Sequence, residues 1–130
     1  MAKEEILLKL SMLEQKSEEI KQQIEAVESQ INELESLKMS LKKIDKSKGK
    51  EMLASLGRGI FIKTEIKDEK LFVNVGSKTL IKKTPSETIE IIDAQIKEME
   101  EIKINLLRAI EQINVSLNEI FEEARKSSST

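Results

Sequence analysis

The chain has 130 residues, 35% of them charged and only 2% aromatic, with a formal net charge of −2. This length reads as one domain, and the lack of Trp and Tyr removes the aromatic bulk that a compact core of this size would use. The near balance of charge argues against a whole-chain polyanion binder, and the absence of Cys and His removes disulfides, thiolate metal sites, thiol nucleophiles and the usual general base.

The start, MAKEEILLKL, is charged on both sides of a short apolar run, unlike a signal peptide. From Glu4 to about Asp45 there is neither Gly nor Pro. Apolar residues alternate at steps of three and four through Ile6, Leu10, Leu13, Ile20, Ile24, Val27, Ile31, Leu34 and Leu41, with Ser17 and Lys38 at the two remaining positions of the register. A heptad stripe sustained this long predicts a coiled-coil helix over residues 4–45. Its polar a-positions are read as structural: they weaken the coil, fix its register, and let a lysine snorkel to water.

Residues 46–50, KSKGK, end that helix with basic side chains and a glycine, as a helix C-terminus favours. Strand-like runs come next at Met52–Leu56, Ile60–Ile66, Leu71–Val75 and Thr79–Lys83. In the second of these, Ile60, Ile62, Thr64 and Ile66 share one face. Residues 50–84 therefore read as two β-hairpins, and they form the basic part of the chain, with eight Lys/Arg against four Asp/Glu. Isolated hairpins are marginal in water and carry unpaired edges. Partner strands from other chains are expected to finish them, which makes an obligate oligomer.

Two glycine-containing turns invite a phosphate-binding reading. The stretch NVGSKTLI holds Gly76-Ser77-Lys78-Thr79, yet no glycine directly precedes the lysine, and Leu71 stands where a phosphate loop needs its first glycine. Leu80-Ile81-Lys82-Lys83, immediately after it, is strand-like rather than helical, so Gly76-Ser77 reads as a turn in which glycine supplies a positive φ. Gly57-Arg58-Gly59 is read as a hairpin bend or bulge in preference to an anion nest.

Thr84-Pro85-Ser86-Glu87 is a helix start, with Thr84 as N-cap, Pro85 at the first helical position and Glu87 three residues after the cap. The second stripe runs Ile89, Ile92, Ile96, Met99, Lys103, Leu106, Ile110, Ile113, Leu117, Ile120 and Ala124. It predicts a coiled-coil helix over residues 85–126, with residues 127–130 as a disordered polar tail. Two helices of equal length, each roughly 60 Å at about 1.5 Å per residue, suit one antiparallel pair whose chain ends meet. The fold class is therefore α+β: a long antiparallel two-helix coiled coil with two central hairpins, in one domain over residues 1–130.

The stretch EMLASLGRGIFIKTEIKDEKLFVNVGSKTLIKKTPSETIE resembles prefoldin, in particular its alpha class of archaeal type. The resemblance lies in Leu56-Gly57 closing an apolar strand, Ile60-Phe61-Ile62, and the Val73-Asn74-Val75-Gly76 strand end, with a fourth strand leading into the second helix. Ala54-Ser55 replaces the proline that frequently precedes the Leu-Gly pair, and Thr79-Leu80-Ile81 lacks the aromatics of many fourth strands. The resemblance implies a heterohexamer of two alpha and four beta subunits whose hairpins join an intersubunit β-barrel. It also implies an ATP-independent chaperone, with coiled-coil arms that hold unfolded client proteins and pass them to a group II chaperonin.

In that frame the expected client-binding residues lie at the arm tip: Ile6, Leu7, Leu8, Leu10, Met12, Leu13, Leu117, Ile120 and Phe121. Leu7, Leu8 and Met12 lie off the heptad stripe, and a two-helix coil covers only its a and d positions. Closing the coil end, or packing on a neighbouring arm, is the other reading of these residues. The expected assembly contacts are Leu56, Ile60, Phe61, Ile62, Ile66, Leu71, Phe72, Val73, Val75 and Leu80. No catalytic residue, cofactor, metal, nucleic acid or membrane partner is expected, and a cytoplasmic location is. The rival readings are a passive coiled-coil scaffold and a prefoldin-like chain that self-assembles into filaments.

Overall fold

A computed structural model describes residues 3–128 of the chain. The elements run in the order α1 (Lys3–Ile44), β1 (Glu51–Gly57), β2 (Ile60–Glu65), β3 (Leu71–Asn74), β4 (Leu80–Lys83) and α2 (Pro85–Ser128). This is the helix, two hairpins and helix expected from the sequence. The helix α2 includes Ser127 and Ser128, where a polar tail is expected from composition; Ser129 and Thr130 lie outside the described residues. The chain divides into two units, residues 1–31 with 98–130, and residues 32–97.

In the first unit the two helices bury their heptad stripes against each other. Ile20, Ile24 and Ile113 are buried together, and Leu13, Leu106, Ala109, Ile110 and Leu117 pack around them. Among described residues of α1 as far as Leu41, the positions that escape full exposure are those of the stripe read from the sequence. The reason is geometric: residues three and four apart stack on one face of a helix, and a single partner helix covers only that face. Ser17 sits in the stripe and is covered, its small side chain fitting where helices approach. Lys103 breaks the α2 stripe and reaches Glu28 of α1, Nζ to Oε1 3.2 Å.

The second unit contains the end of α1, both hairpins and the start of α2. Lys38 of α1 meets Asp93 of α2 at 2.5 Å, so here too a stripe lysine pairs across the helices. The hydrogen bond to Asp93 is the main reason that the Lys38 ammonium is held above its ordinary pKa. At the end of α1 the left-handed residue is Lys46 (φ 59). Glycine does not take that place, as a helix C-terminus usually favours; Gly49 (φ 86) instead belongs to a turn closed by the Lys50 amide on the Ser47 carbonyl at 2.9 Å. Ser47 is buried, and its hydroxyl and amide both donate to the Ile44 carbonyl, satisfying one of the helix's terminal acceptors.

The hairpins are two separate two-stranded antiparallel sheets, β1 with β2 and β3 with β4. In the first, Met52 faces Thr64 and Ala54 faces Ile62, and the register slips between Ser55 and Gly57. Arg58 and Gly59, with φ of 52 and 77, make the two-residue reversal. Both angles are positive, as a turn matching the right-handed strand twist requires, so Gly57-Arg58-Gly59 is a bend with a bulge. The pairing reaches past β1 and β2, because the amides of Gly49 and Ile66 bond the carbonyls of Ile66 and Lys50 at 2.7 and 2.9 Å.

In the second hairpin, Phe72 faces Lys82 and Val73 faces Ile81. Its reversal runs Gly76-Ser77-Lys78-Thr79, with Ser77 and Lys78 at φ 49 and 60 and the Thr79 amide donating to the Gly76 carbonyl at 2.9 Å. Asn74 supplies a further local bond, its Oδ1 accepting the Gly76 amide at 2.9 Å. The chain enters β4 directly after this reversal, and the segment is a hairpin turn.

The start of α2 is a reciprocal cap. The Glu87 amide donates to Thr84 Oγ1 at 3.2 Å, while the Thr84 amide and hydroxyl donate to Glu87 Oε1 at 3.2 and 2.9 Å. These bonds satisfy donors that the first helical turn leaves open. The Thr84 amide first, and its hydroxyl second, hold the Glu87 carboxyl below its ordinary pKa.

Candidate functional site

The surfaces with most to explain are apolar. All three phenylalanines are exposed in the chain: Phe61 at 57%, Phe72 at 67% and Phe121 at 55%. A chain that owns so little aromatic surface and buries none of it leaves that surface uncovered.

In the second unit, both faces of both hairpins carry uncovered apolar side chains. Strand alternation puts Met52, Ile60 and Ile62 on one face of the first hairpin and Leu53 and Phe61 on the other; all are exposed. The second hairpin shows Phe72 and Leu80 on one face, both exposed, and Leu71, Val73 and Ile81 on the other, the first two half-buried. Among the expected assembly residues, Leu56 and Val75 are also exposed, and Ile66 is half-buried. Met52, Leu53 and Ile81 join this surface although they are not among the assembly residues expected from the sequence. The alternation that marks their neighbours also marks them once both faces are taken as partner-seeking. Lys82 Nζ lies 5.8 Å from the Phe72 ring centre and 3.0 Å from Asp68 Oδ2. The Lys70 amide first, and Lys82 second, hold the Asp68 carboxyl below its usual range.

In the first unit, the expected tip residues fall into two groups. Ile6 is buried, and Leu10, Leu13, Leu117 and Ile120 are half-buried in the stripe, where they face the partner helix. Leu7, Leu8, Met12 and Phe121 are exposed, as their off-stripe positions dictate. The structure thus separates coil-closing residues from those that present apolar surface. Val115, exposed on α2, belongs with the second group; the same off-stripe rule identifies it. No helix among the described residues is long and apolar enough to cross a membrane.

Paired long helices, two hairpins open at their edges and uncovered apolar surface in each unit define a two-helix coiled-coil protein of α+β class. Comparison with known proteins gives the family. The prefoldin subunit family model matches residues 13–129, and the chain belongs to the prefoldin family, among its alpha subunits. It is 34% identical over 85 residues to a prefoldin subunit alpha of Methanosphaera stadtmanae, covering 65% of this chain and 62% of that one. It is 32% identical over 83 residues to a prefoldin subunit alpha 2 of Thermococcus kodakarensis, covering 63% and 58%. In these two comparisons the chain spans about three-fifths of the relative's length. A prefoldin subunit alpha of Thermofilum pendens is 26% identical over 126 residues, 95% of this chain and 98% of that one. A filamentous prefoldin from Methanocaldococcus jannaschii, solved by cryo-EM, shares the fold with a TM-score of 0.79 at 20% identity, over 88% of this chain and 97% of that one. Prefoldin is a chaperone family.

Proposed function

We propose that this chain is the alpha subunit of an ATP-independent holding chaperone of the cytoplasm. Its hairpins complete an intersubunit β-barrel with beta subunits, two alpha and four beta in all. Its helices hold unfolded proteins at their outer ends and release them to a group II chaperonin. The observation that carries this reading is the exposed apolar set Leu7, Leu8, Met12 and Phe121, which the coil has no use for. Leucine and methionine side chains adapt to varied apolar segments, which suits a binder of many sequences. The assembly part rests on hairpins that are apolar on both faces and open at their edges, a combination that aggregates unless partner strands cover it.

The test monitors light scattering of a denatured client as it refolds, in the presence of this chain assembled with a beta-class partner. Wild type is compared with L7S/L8S/M12S/F121S at equal assembly mass. Suppression by wild type and not by the variant supports holding at these residues. Suppression by both moves holding to another surface. No suppression by wild type across several clients leaves the chain as a coiled-coil scaffold. A second reading is self-assembly into filaments through the hairpins; the filamentous M. jannaschii neighbour favours it, and particles of this chain alone, viewed by electron microscopy, decide it.

A further inference from the structure

The chain has no Cys, His, Trp or Tyr, so its five methionines are its most readily oxidised side chains. Their placement is uneven. Among the described residues, Met12 and Met39 of α1 are 62% and 59% exposed, Met52 of β1 is 41% exposed, and Met99 is half-buried in the α2 stripe. Met52 lies on the first hairpin, which the proposed assembly covers. Met12 and Met39 are therefore the two open thioethers, and they stand in different company on one helix. Residues three and four apart share a helix face. Met12 has exposed Leu8 one turn before it and belongs to the off-stripe apolar set with Leu7. Met39 has Glu35 one turn before it and Lys42 and Lys43 one turn after, all exposed.

We infer that Met12 is an oxidation site at which a peroxide weakens client holding and a sulfoxide reductase restores it; the regulation rests on the holding role proposed above. The thioether sulfur attacks one peroxide oxygen, the O–O bond breaks and an S–O bond forms. The sulfur is oxidised by two electrons, and the proton of the attacked oxygen passes to the departing hydroxide, which leaves as water. Reduction by two thiols reverses the step: the oxygen leaves as water and the thiols become a disulfide. The sulfoxide puts a strong acceptor where an apolar segment would lie. A client that covers Leu8 and Met12 must then bury that acceptor without a donor or give up the contact. At Met39 the same chemistry adds one polar group to a face that is already charged, and no client contact is lost. With no cysteine in the chain, no thiolate of its own competes for the oxidant and the switch needs no disulfide.

The test treats this chain, assembled with a beta-class partner, with hydrogen peroxide. Peptide mass spectrometry follows oxygen uptake at each methionine. Light scattering of a denatured client gives the amount of protein needed for half suppression of aggregation. Met12 and Met39 should take up oxygen about tenfold faster than Met99, because access sets the rate. Oxidised wild type should need about threefold more protein than untreated wild type, or more still. Methionine sulfoxide reductases with dithiothreitol should restore the untreated value. Each variant is compared with its own untreated sample. M12L, which keeps the apolar bulk but has no sulfur, should lose less than about 1.5-fold on treatment, whereas M39L should lose as much as wild type. Far-ultraviolet circular dichroism confirms that each sample is folded. Oxygen uptake at Met12 no faster than at Met99 overturns the site. Unchanged suppression by wild type oxidised at Met12 overturns the regulation and leaves the holding role standing. The same loss in M12L as in wild type, with or without a fall in assembly mass, overturns Met12 as the switch. If untreated wild type suppresses no aggregation, the holding role fails and the regulation falls with it, whatever the oxygen uptake.

Discussion

Replacing Ile113 by alanine tests the register of the helix pair, because a nearby isoleucine on the same helix provides an internal control. Ile113 is only 6% exposed and belongs to the cluster with Ile20 and Ile24, whereas Ile104 is 48% exposed. Each substitution deletes three carbons, and a buried methylene is worth about 0.8 kcal/mol. At Ile113 nearly all of that is lost, about 2 kcal/mol, with a cavity term added if the helices do not close up. At Ile104 about half is at stake, and alanine recovers several tenths of a kcal/mol through its better helix propensity. The expectation is about 2–3 kcal/mol for I113A against less than about 1 kcal/mol for I104A. For a chain of this size each kcal/mol moves the melting temperature by about 3–6 °C. The assay is thermal unfolding monitored by circular dichroism at one fixed protein concentration, since an assembled protein's midpoint depends on concentration. Equal losses at the two positions would refute the reasoning: they would mean that the outward face of α2 is covered as well as the stripe.

Three further outcomes rest on the same physics. Reversing one partner of the Lys38–Asp93 pair, as K38E or D93K, should lower the melting temperature through like-charge contact, and the double reversal K38E/D93K should recover most of the loss; no recovery would mean that the pairing does not form. Because the folded Glu87 carboxyl lies below its ordinary value of 4.5, its share of the helix cap is intact above that pH and is lost as pH falls through the lower folded value. E87Q, which keeps a capping amide, should flatten this part of the acid dependence, and melting curves taken between neutral and acid pH check it. Finally, F61S/F72S should leave the helices folded yet reduce the assembly mass measured by multi-angle light scattering, since both rings are exposed on hairpins that need partners.

The heptad stripes were legible because their cause is local. A helix repeats nearly every seven residues, so the spacing of Ile, Leu and Val names the buried face before any partner is known. The cap at Thr84 and Glu87 and the reversals at Arg58-Gly59 and Ser77-Lys78 were legible for the same reason, each being decided within four residues. The end of α1 was less legible. The left-handed position fell to Lys46, because Ser47 folds back on the Ile44 carbonyl and a lysine can adopt that angle at modest cost.

Of the candidate surfaces, the sequence by itself determined which apolar residues stand off the stripe: Leu7, Leu8, Met12, Phe121 and, by the same rule, Ile104, Leu107 and Val115. Tertiary structure alone decided what surrounds them. Lys103 finds Glu28, and Lys38 finds Asp93, only through the register in which the helices run past each other. The first unit is acidic, with fourteen acidic against eight basic side chains, and that acidity arises the same way. Residues 1–31 and 98–130 are far apart along the chain, and their carboxylates act together only because antiparallel pairing makes them one surface. Hydrophobic spacing acts over a few residues and can be read along the chain, while an electrostatic field sums over whatever the fold brings within a screening length.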